Sequence, residues 1–156
     1  MGLTRPSYAL GMPSASFSHA ASVSTPADAI WDRLQAVDSW SNIGPLDNVW
    51  DAVHDGDRLR SYKWRTTVGP PSYDGKAIVI SSERPHLMRL DLDAGEMAGS
   101  LETRMTENGD GSTKLVVTLE VVARGMLSTL FFPVLSEAVG RGLPQQVEQF
   151  ARSFAE

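Results

Sequence analysis

Apolar residues recur at intervals of three and four near the end of the chain. They stand at Leu127, Leu130, Phe131, Val134, Leu135, Ala138, Val139, Leu143, Val147, Phe150 and Phe154. This spacing predicts one long helix with a broad apolar face. Such a face needs a large apolar partner surface, and a curved antiparallel sheet can supply it.

Two glycines and a proline interrupt this helical pattern between Gly140 and Pro144. A proline inside a helix lacks an N–H and its ring presses on the carbonyl four residues earlier, which costs about 3 kcal/mol. Gly140 and Gly142 each add about 1 kcal/mol relative to alanine. Two interpretations are open: a kink that follows the curvature of the sheet, or a hinge that lets the two halves of the helix part and admit a ligand.

The middle of the chain alternates between apolar and polar positions, which is typical of half-buried strands. The clearest case has Leu115, Val117 and Leu119 on one face, with Lys114 and Thr118 on the other. Strands are predicted at 15–23, 46–54, 58–68, 73–82, 87–93, 97–107 and 112–123. The turns between the last six strands are short, so we expect an antiparallel meander.

Two short helices are predicted between the first strand and the meander. The first places Ala27, Ile30, Trp31 and Leu34 on one face, and the second begins at Asp38. The sequence therefore predicts an α+β fold in which about seven strands curve around a long C-terminal helix. We expect residues 1–13 to form an N-terminal tail and residues 14–156 to form a single domain.

Composition narrows the possible functions. The chain has 156 residues, no cysteine and a net charge of −5, which excludes disulfides, thiolate metal sites and cysteine nucleophiles. The negative charge argues against a nucleic-acid partner. Strand alternation divides a basic run between two faces unless a bulge intervenes; its members are Arg58, Arg60, Lys63 and Arg65.

The N-terminus lacks the apolar run of a signal peptide, and no stretch reaches the roughly 18 residues of a membrane span. We therefore expect a cytoplasmic protein without stable membrane insertion.

Three stretches at the ends of elements carry a resemblance to a known superfamily. They are Val23-Ser24-Thr25-Pro26-Ala27-Asp28-Ala29-Ile30-Trp31-Asp32, Ser82-Glu83-Arg84-Pro85-His86-Leu87-Met88-Arg89-Leu90 and Gly111-Ser112-Thr113-Lys114-Leu115. The sequence resembles the START/Bet v 1-like superfamily, whose helix-grip fold is often labelled polyketide cyclase/dehydrase and lipid transport. Val68-Gly69, Tyr73-Asp74-Gly75 and Gly125-Met126-Leu127 most resemble the branch named for an accessory protein of carbon monoxide dehydrogenase.

The resemblance implies a cavity between the sheet and the terminal helix. Members of the superfamily bind lipids, sterols, quinones or aromatic polyketides in this space, and a few are enzymes. The carbon monoxide dehydrogenase accessory branch resembles a carrier that brings a quinone-type molecule to a partner enzyme. We therefore expect a hydrophobic small-molecule ligand, a possible partner enzyme, a monomer or homodimer, and no cofactor.

Candidate ligand-binding residues are the apolar and aromatic side chains predicted to face inward. From the strands they are Tyr62, Trp64, Met88, Leu90, Met97, Leu101, Met105 and Val117, with Leu92, Leu115, Leu119 and Val121 as further wall positions; from the helix they are Phe131, Leu135, Val139 and Leu143. Methionine adapts to irregular apolar shapes, which suits a pocket for a flexible ligand. The alternative is that these residues simply fill the core.

A catalytic set is harder to name from the sequence. The three histidines, His19, His54 and His86, show no metal-ligand spacing. We expect binding without bond-making chemistry. The first alternative is a cyclase or dehydratase in which His54, His86, Tyr62 and Arg104 move protons; the second is a protein-interaction module without a ligand.

Overall fold

The computed structural model describes residues 13–42, 46–67 and 72–155. Its elements are β1 (Ser14–Val23), α1 (Ala27–Leu34), a 3-10 helix (Val37–Asn42), β2 (Asn48–Asp55), β3 (Arg58–Thr67), β4 (Ser72–Glu83), β5 (Leu87–Asp93), β6 (Met97–Glu107), β7 (Thr113–Ala123) and α2 (Met126–Arg152). This order confirms the predicted α+β fold. Most of the predicted tail (1–12), and residues 43–45 and 68–71 with the Val68-Gly69 motif, lie outside the described residues.

The strands form one antiparallel sheet in the order β1-β7-β6-β5-β4-β3-β2. Strands β2 to β7 are joined in sequence order as predicted, and β1 pairs with β7 at the far edge. The turn between β6 and β7 uses Gly109 and Gly111 at φ values of 87° and 89°. Glycine adopts this left-handed conformation without the steric penalty that a side chain would bring, so these residues favour the hairpin.

A bulge changes the predicted faces of the basic run in β3. The pairing of β2 with β3 shifts between Val53 and His54, and the buried positions of β3 pass from Leu59 to Tyr62 rather than to residue 61. Arg58, Arg60, Lys63 and Arg65 are therefore all on the outer face, because the bulge named as the exception to strand alternation is present. Three of them are neutralised by aspartates, in the pairs Arg60 with Asp55, Lys63 with Asp51 and Arg65 with Asp74.

Helix α2 lies mainly along β1, and its buried face differs from the predicted one in the first two turns but shares Leu135 and Val139 with it. The buried side chains there are Ser128, Phe132, Leu135 and Val139. Phe131 is only half-buried, while Leu127, Leu130 and Val134 are exposed. Both stripes have helical spacing, so periodicity could not choose between them; packing against the sheet selects the one that contains Phe132.

The helix continues without a break through Gly140 and Pro144. A Cβ at position 140 would lie 3.3 Å from Cε1 of Phe17 in β1, which is tighter than most side-chain contacts. Gly140 therefore allows α2 to approach β1 closely. This packing supplies a structural reason for one of the two glycines, and the hinge stays a prediction.

Polar contacts fix both ends of α2. At its start, Glu96 Oε1 accepts a hydrogen bond of 2.7 Å from the backbone N–H of Ser128. Towards its end, His19 Nε2 of β1 lies 2.8 Å from Glu148 Oε2, and the guanidinium of Arg33 lies 4.1 Å from the ring centroid of Phe154. No helix in the described part of the chain is long and apolar enough to cross a membrane.

Candidate functional site

A cavity of about 50 Å³ lies between the inner face of the sheet and α2. It is lined by Leu46, Tyr62, Trp64, Thr66, Leu92, Met97, Leu101, Leu119, Val121, Leu135 and Val139. A cavity that admits benzene in a protein core measures about 150 Å³. A ligand the size of a quinone or lipid therefore requires the walls to move apart.

The predicted ligand-binding residues fall into two groups. Tyr62, Trp64, Met97 and Leu101 line the cavity. Met88, Leu90, Met105 and Val117 are not part of the wall and are fully buried within the packed core. Ile30 and Leu34 of α1, and Trp40 of the 3-10 helix, belong to the same hydrophobic core. The side-chain amide of Gln35 reaches within 3.7 Å of the sulfur of Met88.

Two cavity residues escape a simple search for large apolar side chains in strands. Thr66 and Leu46 are not among the predicted candidates, although Thr66 follows Tyr62 and Trp64 at the same alternating positions of β3. Leu46 falls in the predicted strand 46–54, but in the structure it precedes β2, which begins at Asn48. The alternation alone could have found Thr66, whereas Leu46 is placed by tertiary structure.

Two aromatic side chains bring polar atoms into this apolar region. Trp64 is 5% exposed and Tyr73 is 7% exposed. The indole N–H of Trp64 and the hydroxyl of Tyr73 are buried and have no hydrogen-bond partner among the described residues. Trp64 pairs with Gly75 across the sheet and Tyr73 pairs with Thr66, so the two aromatics are diagonal neighbours on the inner face.

Gly75 sets the position of the Trp64 indole. A Cβ at residue 75 would overlap that indole and would lie 2.8 Å from the backbone oxygen of Asp93 in β5. The absent side chain therefore lets the indole lie across β4. Gly75 belongs to a segment that carried the resemblance, and its physical role here is close approach rather than a turn.

Burial keeps the two tyrosine hydroxyls of this region protonated. Burial raises the pKa of Tyr62 above its ordinary value, and its ring stacks on Trp40 at 6.2 Å between centroids. Burial, and secondly the negative charge of Glu96, raises the pKa of Tyr73. Both hydroxyls are therefore neutral donors at physiological pH.

The candidate proton-transfer residues are separated in the structure. The side chain of His54 on β2 contacts the backbone oxygen of Gln35 at 2.8 Å. Arg104 is on the outer face of β6, where its Nε lies 2.7 Å from Glu102 Oε2. His86 is exposed in the turn before β5, and only Tyr62 of the four lines the cavity.

The described residues contain no cluster of three or more histidine, aspartate or glutamate side chains that could hold a metal ion. Neither lysine nor arginine is among the described residues that line the cavity. The side chains available at the cavity therefore supply apolar contacts and the polar groups of Tyr62, Trp64 and Thr66.

Solved structures with the same architecture include an aromatase/cyclase, Zhui, from a Streptomyces species. It aligns at a TM-score of 0.69 over 92% of this chain and 96% of its own, at 16% sequence identity. A START superfamily protein from Mycobacterium smegmatis aligns at a TM-score of 0.66 over 92% of this chain and 99% of its own, also at 16% identity. This is a START-type helix-grip fold.

A more distant structure with the START-type fold is a norcoclaurine synthase from Thalictrum flavum. It aligns at a TM-score of 0.57 over 84% of this chain and 94% of its own, at 12% identity. No protein-family model matches the chain, and no curated protein matches it significantly. At these sequence identities the likeness shows the fold alone, and it assigns none of those proteins' activities to this chain.

Proposed function

We propose that this START-type domain binds a hydrophobic small molecule between its sheet and α2. The observation that carries the proposal is the apolar space bounded by Met97 and Leu101 of β6 and by Leu135 and Val139 of α2. An apolar ligand gains free energy by leaving water for such a wall, at about 25 cal/mol for each Å² buried. The resemblance extends the proposal to a lipid, quinone or polyketide-like ligand.

The small cavity volume gives the proposal a structural consequence. A ligand larger than a few water molecules must displace side chains or shift α2 relative to the sheet. Binding is then coupled to a local opening. Delivery of such a ligand to a partner enzyme, in the manner implied by the resemblance to the carbon monoxide dehydrogenase accessory branch, would use the same opening. That role, and a cytoplasmic location, stay predictions.

We favour binding over bond-making chemistry because of the placement of the candidate residues. General acid–base catalysis requires the donor and acceptor groups to reach the same reacting atoms. Tyr62 lies at the cavity, whereas His54 is held against a backbone oxygen and Arg104 faces outward. This arrangement supports a carrier or sequestering role.

The test is a binding screen with a cavity-filling control. Gently purified protein is examined by native mass spectrometry and then titrated with quinones, fatty acids and aromatic ketones. Leu101→Trp fills the cavity from a wall residue and should weaken binding at least tenfold, whereas Leu130→Trp on the exposed side of α2 should not. Absence of any ligand in both experiments would refute the proposal.

The exposed stripe of α2 favours a second candidate function, that of an interaction module. Met126 is 90% exposed and Leu130 is 69% exposed, and Leu127 and Val134 continue the same stripe. A second copy of the chain is the occupant that we would test first, since a homodimer is one of the two expected oligomeric states. Sedimentation that shows a monomer at all concentrations, unchanged by Leu130→Glu, would exclude this homodimer.

A further inference from the structure

Three buried side-chain groups of the described residues have no hydrogen-bond partner: Trp64 Nε1, Tyr73 Oη and, on α2, Ser136 Oγ. The two aromatic groups are on the sheet. A buried donor without a partner destabilises a protein, and most native structures avoid it. The two side chains are diagonal neighbours on the inner face of β3 and β4. Trp64 is part of the cavity wall, and Tyr73 lies beside it, outside the set of lining residues. Their arrangement is therefore unfavourable unless something else accepts their hydrogen bonds.

Another buried tryptophan in the same core shows what a purely structural indole looks like. The Nε1 of Trp40 donates to the backbone oxygen of Leu34 at 2.9 Å. Trp40 is fully buried and so is comparable with Trp64. The indole N–H of Trp40, which has a packing role, thus has an acceptor. The indole N–H of Trp64, which borders the cavity, has none among the described residues.

We infer that the ligand carries a neutral hydrogen-bond acceptor, a carbonyl oxygen of a ketone, quinone, ester or amide, to which Trp64 Nε1 and Tyr73 Oη donate. This inference rests on the proposed ligand-binding function. The indole N–H can only donate and a neutral tyrosine hydroxyl can donate as well, so both are matched by an acceptor. Pairing with a carbonyl would remove the unfavourable state of both groups.

The surroundings favour a neutral acceptor over a carboxylate. The negative charge of Glu96 acts on the Tyr73 hydroxyl and contributes to raising its pKa. The same charge would repel an anionic head group placed beside that hydroxyl. In the described part of the chain, no cationic side chain lines the cavity to compensate. Free fatty acids are therefore expected to bind less well than uncharged carbonyl compounds of similar size.

A matched set of small probes tests the inference by isothermal titration calorimetry. 1-Tetralone and tetralin differ only in a carbonyl oxygen, and tetralin-1-carboxylate carries a charge on the same skeleton. Since one hydrogen bond to a neutral group changes affinity by about threefold to tenfold, the ketone should bind at least about tenfold more tightly than either relative. Trp64→Phe and Tyr73→Phe should each lower the preference for ketone over hydrocarbon by about threefold to tenfold.

Two further measurements separate a ligand contact from a structural role. Tyr73→Phe removes an unpaired hydroxyl, so the ligand-free variant should be as stable as the parent or more stable. In a proton–nitrogen correlation spectrum, 1-tetralone should shift the indole N–H signal of Trp64 downfield and leave that of Trp40 in place. This readout uses the unmodified protein and does not depend on the folding of a variant.

The possible results are distinguishable. Equal binding of ketone and hydrocarbon, or a preference that survives both substitutions, overturns the acceptor inference while the cavity still binds hydrophobic molecules. Failure of all three probes, together with an empty screen of larger ligands, overturns the binding function and this inference with it.

Discussion

Gly75→Ala is the substitution whose effect the structure defines most directly. The new Cβ would overlap the indole of Trp64 and lie 2.8 Å from the backbone oxygen of Asp93. A side chain can turn aside, but the oxygen belongs to the neighbouring strand β5 and is held in the sheet. Overpacking in a core lowers the free energy of unfolding by about 1–3 kcal/mol. Because the backbone oxygen cannot turn aside, we expect a loss of about 3 kcal/mol for Gly75→Ala.

Thermal unfolding followed by circular dichroism measures this loss. For a domain of this size about 1 kcal/mol corresponds to about 2–4 °C, so the melting temperature should fall by about 6–12 °C. Gly142→Ala is the matched control, because its Cβ would meet nothing closer than Nε2 of Gln146 at 3.9 Å. Residue 142 lies inside α2, where alanine is more favourable than glycine. Gly142→Ala should therefore raise the free energy of unfolding by about 1 kcal/mol and the melting temperature by about 2–4 °C.

The two glycine substitutions should therefore have opposite signs. Since Gly75→Ala displaces Trp64, it should also weaken binding of 1-tetralone more than its effect on stability explains. An unchanged melting temperature for Gly75→Ala would show that the Trp64 indole does not lie against residue 75. The account of the cavity wall, and of the donor that Trp64 presents there, would then be wrong.

Three further predictions concern α2 and the buried hydroxyl. Leu135→Ala should lower the free energy of unfolding by about 2–5 kcal/mol because Leu135 is buried, whereas Leu130→Ala should change it by no more than about 0.5 kcal/mol. Urea unfolding measures both values, and equal losses would contradict the assigned helix face. Glu96→Ala removes the acceptor for the N–H of Ser128 and should lower the free energy of unfolding by about 1 kcal/mol. Hydrogen exchange of the Ser128 amide should become faster. Glu96→Gln should retain part of the hydrogen bond. Burial first, and the charge of Glu96 second, raises the pKa of Tyr73 in the folded state. In the unfolded chain the hydroxyl of Tyr73 therefore loses its proton first, near pH 10. The free energy of unfolding should fall as the pH rises above about 10, and less steeply in Tyr73→Phe. Identical slopes for the parent and the variant would show that Tyr73 does not cause the fall.

The order of elements and the faces of the regularly alternating strands could be predicted from the sequence because they depend on local patterns, whereas the bulge in β3 could not. Alternation in β7, with Leu115 and Leu119 inward, follows from the period of a strand. The glycines at 109 and 111 supply the conformation that the hairpin needs. The long C-terminal helix follows from its spacing of apolar residues, even though Gly140 and Pro144 lie within it.

The details of the site depend on contacts between residues far apart in sequence. Leu130 and Leu135 both fit an apolar helical stripe, and only packing against β1 decides that Leu135 is buried. Met88 looks as suitable for a pocket as Met97, yet the space beside it is filled and the space beside Met97 is not. The sequence by itself determined a curved sheet with a helix to cover it. The tertiary structure alone decided how much space remains between them and which buried polar groups are left unpaired, because cavity volume and hydrogen-bond satisfaction depend on how all the elements pack together.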